Sequence, residues 1–151
     1  MRIALYEPEI AGNVGAVLRL GACMGVAVDL IEPMGFAWDD RRVRRTAMDY
    51  IDHVEVVRHV GWEAFLAKHS GATLTLFSSK AVQSPYGHVF GIDDILLFGK
   101  ESAGVPLTVA EACQTRLRIP MRRNVRSLNL ATSAALALGE ALRQTGQLPP
   151  L

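Results

Sequence analysis

The sequence predicts an α/β protein with a mainly parallel sheet and helices on both of its faces. Three observations carry this. Short apolar runs recur at residues 3–6, 26–31, 54–57, 74–77, 95–98 and 117–119. They lack the apolar/polar alternation of a strand with one wet face, so each is expected to be buried on both sides. Segments of helical character separate them, as parallel strands joined by crossovers require. No internal repeat or low-complexity linker divides the 151 residues, which are expected to form a single domain, residues 1–151.

Each element has its own signal. Residues 3–6 form the first strand, broken by Glu7-Pro8-Glu9. Asn13 can cap a helix running to Met24, with Val14, Val17, Leu18 and Gly21 as its apolar positions and Gly25 as its stop. The second strand, residues 26–31, ends at Glu32-Pro33. Asp39-Asp40 can open another helix, crowded by Arg41, Arg42, Arg44 and Arg45. A third strand at 54–57 precedes a helix at 62–69, and a fourth and fifth strand follow at 74–77 and 95–98. Pro106 suits the first turn of a helix to Ala112. The sixth strand, 117–119, is bounded by Pro120. Ser127 is a suitable N-cap for a last helix, apolar almost all round, that ends near Gln144. Such a helix has a second face to bury, and with the helix at 13–24 it is expected to pair across a homodimer two-fold. Gly21, Ala22, Ala131, Ala135 and Gly139 are the positions that would allow close approach.

Composition narrows the function classes only slightly. Net charge is +1, but thirteen of the sixteen basic residues are Arg, the side chain that pairs bidentately with phosphate. Residues 76–151 hold eight Lys/Arg against five Asp/Glu, and residues 1–75 eight against ten, so the cationic character lies in the second half. Cys23 and Cys113 have no CxxC spacing and are expected to be buried thiols in helices. The four histidines show no ligand spacing, and no metal is expected. No charged-then-apolar leader opens the chain, and no apolar stretch approaches the ~20 residues of a membrane span, so a cytoplasmic location is expected.

Chemistry is expected at the carboxyl ends of the strands, where open parallel sheets collect their ligands. Three consecutive strands are followed there by unusual loops: Ser78-Ser79-Lys80, the stretch Gly99 to Pro106, and Pro120 to Ser127. Gly99 and Gly104 would let a ligand touch backbone. The third loop lies among Arg116, Arg118, Arg122, Arg123 and Arg126, and leads into Ser127-Leu128-Asn129 at a helix start, a place that favours anions or ligand carbonyls. The first loop, Gly12-Asn13-Val14-Gly15, lacks GxGxxG, which disfavours a nicotinamide dinucleotide site. Ser127 lacks a GxSxG elbow, so nothing supports a hydrolase triad. Taken alone, Arg19 reads as a helix-surface charge, and Glu101 beside Lys100 as a surface pair.

Three ordered motifs tie these loops together: Asn13-x-Gly15-x-x-x-Arg19, Leu97-Phe98-Gly99-x-Glu101-x-x-Gly104-x-Pro106, and Ile119-Pro120-Met121 followed by Ser127-Leu128-Asn129-Leu130. They resemble the three motifs of the SPOUT RNA methyltransferases. Residues 31–50, IEPMGFAWDDRRVRRTAMDY, resemble the minimal single-domain branch that methylates the ribose 2′-oxygen of the tRNA wobble nucleotide, cytidine or modified uridine. The resemblance runs from Arg2 to about Gln144. It implies a C-terminal deep trefoil knot, S-adenosylmethionine as cofactor, and a homodimer acting on the tRNA anticodon stem-loop.

By position, the resemblance implies cofactor contacts for Phe77, Ser78, Gly99, Gly104, Ile119, Met121, Ser127 and Leu128. It implies a catalytic shell of Arg19, Asn13, Glu101, Ser127 and Asn129. Arg41, Arg42, Arg44, Arg45, Arg122, Arg123 and Arg126 are the candidate RNA contacts. Ala11-Gly12 stands where the branch commonly has prolines, which implies a looser first loop. The rival readings are ribose methylation of another RNA such as rRNA, and a non-catalytic RNA-binding module of the same fold.

Overall fold

The computed structural model describes residues 1–39 and 48–151. The helix expected to open at Asp39-Asp40, and Arg41, Arg42, Arg44 and Arg45, lie mostly outside them. Among the described residues six strands form one sheet: β1 (Arg2–Tyr6), β2 (Ala27–Ile31), β3 (Val56–His59), β4 (Leu74–Phe77), β5 (Ile95–Phe98) and β6 (Thr115–Leu117). All pairings are parallel, in the order β3-β2-β1-β5-β4-β6. Among the described residues four α-helices accompany them: α1 (Ala11–Met24), α2 (Trp62–Lys68), α3 (Leu107–Ala112) and α4 (Leu130–Thr145). Short 3-10 turns lie at Met48–His53 and Pro85–Gly87.

The double burial expected of the strands is visible residue by residue. Ile3, Leu5, Leu96 and Phe98 enter one core, with Val14, Val17 and Leu18 of α1 and Ala134, Ala137, Leu138, Ala141 and Leu142 of α4. Their neighbours Ala4, Tyr6, Ile95 and Leu97 enter the other, with Phe65 of α2 and Val109 of α3. Successive side chains point to opposite faces, so a strand with helices on both sides is mostly apolar, Asp29 of β2 and Thr75 of β4 being buried polar exceptions.

Local differences have local causes. β3 and β6 sit two residues away from the expected runs, as edge strands whose ends pairing alone sets. α1 begins at Ala11, so Ala11-Gly12 forms its first turn and not a loose loop. Asn13 is therefore not its cap; Ile10 is, with no side-chain capping bond. The cap expected from Ser127 is provided by Asn129, whose Oδ1 accepts from Ala131 N at 2.9 Å and Thr132 N at 3.3 Å. Gly25 closes α1 in the left-handed region at φ 67°, as expected of a glycine stop. Cys113 is buried just past α3, and burial pushes its thiol up to about 11; Cys23 is exposed, contrary to expectation. Gly21 also faces inward. A Cβ there would lie 2.8 Å from Val26 O and 2.9 Å from Val28 Cγ2, so close packing of α1 on β2 requires it, not a partner chain.

One polar cluster sits inside the sheet. The Asp29 carboxylate, fully buried on β2, takes Arg2 Nε at 2.7 Å on one oxygen. Its other oxygen takes His59 Nε2 at 2.7 Å and His69 Nε2 at 3.0 Å. These three residues bring together donors that sequence spacing does not relate, all within 4.8 Å of one another. A carboxylate can only accept, so both Nε2 atoms carry their protons toward it. Burial alone would raise the Asp29 pKa, but the bonds from Arg2, His59 and His69 outweigh it and hold it below the usual 3.8. Its contribution to stability is then present above that ordinary value and is lost as pH falls through the lower folded one. Asp29→Asn places an amide donor against a donor set. It is expected to cost about 3–5 kcal/mol, the range for breaking a buried pair. That is a fall in Tm of roughly 10 °C for a chain of this size, with less dependence on acid pH. Calorimetry between pH 7 and pH 3 checks this; an unchanged Tm at neutral pH would show the cluster to be energetically idle.

Candidate active site

The order of the sheet decides where a ligand can sit. From β1 the chain steps outward to β2 and β3, then returns on the other side through β4, with β5 inserted beside β1. The loops after β1 and β5 therefore leave the sheet side by side in opposite directions, at the kind of switch point where open parallel sheets bind ligands. Adjacent carboxyl ends of β5, β4 and β6 add the loops that begin at Gly99, Ser78 and Arg118.

A cleft of about 1390 Å³ opens there. It is lined by every expected cofactor residue, namely Phe77, Ser78, Gly99, Gly104, Ile119, Met121, Ser127 and Leu128, and by Asn13, Glu101 and Asn129 of the expected catalytic shell. Its size exceeds the 300–1,000 Å³ usual for one small-molecule ligand, leaving room for part of a second substrate. Phe77 stacks on Phe98 at 5.1 Å and closes its apolar floor.

The loop after β5 is shaped by its own backbone. Lys100 and Gly104 exchange two hydrogen bonds of 2.9 Å. Gly104 stands at φ 70°, where only glycine is unstrained. Gly99 needs no unusual dihedral, but a Cβ on it would lie 2.4 Å from the Gly104 carbonyl carbon. Gly99 is therefore required first by the loop itself, and not, as its motif position suggests, only by space for a ligand.

Glu101 is not half of a surface pair with Lys100, which pairs with Glu7. Its Oε1 accepts from Asn13 Nδ2 at 2.9 Å and its Oε2 from the Glu9 backbone N–H at 2.8 Å. Asn13 Oδ1 in turn accepts from Asn129 Nδ2 at 2.8 Å. One chain of hydrogen bonds thus joins the loop after β5, the first turn of α1 and the cap of α4. This relay orients both amides and brings residues 13, 101 and 129 of the three motifs to one point.

Arg19 is the exception. It lies on the exposed side of α1, outside the cleft lining, with its guanidinium 4.9 Å from the centre of the Tyr50 ring. Arg126 lines the cleft, whereas Arg122 and Arg123 are exposed on the loop above it. Lys80, Arg116 and Arg118, which the sequence placed in or beside the ligand loops without giving them a role, also line the cleft. Lys80 and Arg118 follow the ends of β4 and β6, a positional signal available once the strands are placed.

The chain has known relatives. The SpoU rRNA Methylase family matches residues 1–139. A protein of Beijerinckia indica named tRNA (cytidine(34)-2′-O)-methyltransferase is 51% identical over 97% of this chain and 92% of its own length. A protein of the same name from Escherichia coli K12 is 38% identical, over 97% and 94%. A solved structure described as giving insights into the 2-OH methylation of C/U34 on tRNA superposes with a TM-score of 0.90 at 40% identity, covering 95% of this chain and 94% of that one.

Proposed function

The chain belongs to the SpoU rRNA Methylase family, and from that premise we propose that it methylates the ribose 2′-hydroxyl of nucleotide 34 in tRNA, cytidine or uridine, using S-adenosylmethionine. The observation that carries this reading is the meeting of the three motifs at one cleft, in a chain 51% identical to a relative named for that activity. The cleft fits the cofactor. Phe77, Ile119 and Leu128 offer apolar walls for an adenine, while the backbone of residues 99–104 and the Ser127 hydroxyl offer polar edges.

When bound, S-adenosylmethionine supplies an electrophilic methyl on a good leaving group, so in-line positioning supplies much of the rate. The relay from Glu101 through Asn13 to Asn129 holds the walls that set this alignment. A guanidinium offers only donors and no acceptor, so Arg19 does not take the proton itself. Its role is to grip a phosphate and lower the hydroxyl pKa by its field, while a phosphate oxygen, Ser127 or water takes the proton. The arginines at 41–45, with Arg122, Arg123 and Arg126, are the phosphate contacts of the anticodon stem-loop.

The reading extends to a homodimer of one-domain chains in the cytoplasm, with the C-terminal part threaded as the knot of the SPOUT fold. Arg19 supports the dimer, because on its own chain it points away from the cleft it should serve. The outer side of α4 offers Ala135 and the half-exposed Leu136, and Gly139 has open space beside it. The outer side of α1 offers Gly12, Ala16 and Cys23. Pairing these across a two-fold would bring Arg19 of one chain toward the cleft of the other. Ala135→Glu is expected to give a monomer of 16.4 kDa by light scattering, with methyl transfer lost and S-adenosylhomocysteine binding largely kept. A wild-type monomer with full activity at micromolar concentration would sink the dimer. Gly21→Glu is unsuitable for this test, because its side chain would enter the core.

The function itself is tested by incubating the purified protein with S-adenosylmethionine and total RNA, tRNA and rRNA together, from a strain lacking the gene, then mapping the modified nucleotide by mass spectrometry. A 2′-O-methyl on nucleotide 34 is expected. Methylation confined to rRNA, or cofactor binding with no methyl transfer, would favour one of the rival readings.

A further inference from the structure

The switch point between β1 and β5 is bridged by a second carboxylate, which lies outside the three motifs. Glu9 Oε2 accepts from the Ser102 backbone N–H and Glu9 Oε1 from the Ser102 hydroxyl, both at 2.8 Å. In return the Glu9 backbone N–H donates to Glu101. The two loops therefore clasp each other through three hydrogen bonds, beside the Lys100–Glu7 ion pair.

The clasp sits on a constrained stretch of chain. Glu7 stands at φ 44°, an uncommon conformation for a residue with a side chain. Gly35 donates its N–H to Pro8 O at 2.9 Å, and a Cβ on Gly35 would lie 2.8 Å from Glu9 Cα, so residues 8–9 are backed closely from behind. Two residues after Glu9, α1 begins with no side-chain cap of its own. What orients that helix end is the loop after β5, through Glu101 and through Glu9.

We infer that Glu9 is a positioning residue that transmits the order of the cofactor loop, residues 99–104, to the first turn of α1 and so to Asn13 and Arg19. The inference rests on the methyltransferase reading for its effect on rate, but the coupling itself can be read without any RNA. Filling the cleft restricts loop 99–104, Ser102 carries that restraint to the Glu9 carboxylate, and Glu9 carries it into α1. The bonds from Ser102 also hold the Glu9 carboxyl below its usual range, so the clasp stays intact at neutral pH.

The test uses the full chain with Glu9→Ala, Glu9→Gln and Ser102→Ala, and S-adenosylhomocysteine as probe. In the wild type, the probe is expected to slow amide hydrogen exchange in residues 7–15 as well as in residues 99–104. In Glu9→Ala the protection of residues 7–15 should be clearly smaller, not absent, because the Glu9 N–H and Asn13 still bond Glu101. With S-adenosylmethionine and tRNA saturating, the single-turnover rate of Glu9→Ala should fall roughly 10- to 100-fold, the scale of misplacing reacting groups by about 1 Å. Affinity for the probe should change less than about threefold, a shift under ~0.7 kcal/mol. Glu9→Gln keeps one acceptor for the Ser102 N–H and should recover part of the rate. Adding Ser102→Ala to Glu9→Ala should cost nothing further. Protection of residues 7–15 that is undiminished in Glu9→Ala, or a Glu9→Ala rate within twofold of wild type, would overturn the inference. A wild-type protein that shows the coupled protection but places no methyl on nucleotide 34 would refute the substrate reading while supporting the clasp.

Discussion

Gly99→Val is expected to lose cofactor binding by at least about 100-fold, equivalent to ~2.7 kcal/mol, in a protein that still folds. The first atom of any side chain at Gly99 would lie 2.4 Å from the Gly104 carbonyl carbon and 2.7 Å from its oxygen. Both are backbone atoms, in a loop pinned by two Lys100–Gly104 hydrogen bonds and by the left-handed Gly104. The loop must open, and its polar edges leave the cleft. Because the loop lies beyond the end of β5, the two cores keep their packing and stability should fall by only about 1–3 kcal/mol, as in overpacked sites. Calorimetric titration with S-adenosylhomocysteine checks the affinity, and a thermal melt checks the fold. Unchanged affinity in a folded Gly99→Val protein would remove this loop from the cofactor site.

Arg19→Ala should do the opposite, leaving affinity for S-adenosylhomocysteine within about twofold while lowering single-turnover methyl transfer by about 10²–10³, the scale for removing one electrostatic stabiliser of a transition state. The two outcomes differ because Gly99 lines the cleft and Arg19 does not. Arg19→Lys should rescue poorly. An ammonium lacks the planar fork that grips two phosphate oxygens, and its weaker stacking over Tyr50 leaves it less well placed. A Lys variant with most of the wild-type rate would show that only a positive charge is needed, and the phosphate-clamp role would be wrong.

The apolar runs and their spacing by themselves determined the parallel sheet, its double burial and most element boundaries. Strands at 74–77 and 95–98 match to the residue because a run buried on both faces is apolar almost from end to end, with Thr75 the one polar residue in these two. The loops after the strands were likewise legible as one place: Phe77, Gly99, Ile119 and Ser127, expected together from the resemblance, all line the same cleft. Only the tertiary structure decided which polar groups meet. Asn13, Glu101 and Asn129 are 88 and 116 residues apart along their bonds, and Asp29 reaches His59 and His69 across the sheet. Hydrogen-bond partners at such separations are set by strand order, which no local pattern encodes. The same reason explains the misplaced caps and Gly21. Asn13 and Ser127 are good capping residues locally, but Asn13 is drawn into the relay and Asn129 takes the place of Ser127. Gly21 reads as a docking surface in one dimension and proves to be the space that β2 needs in three.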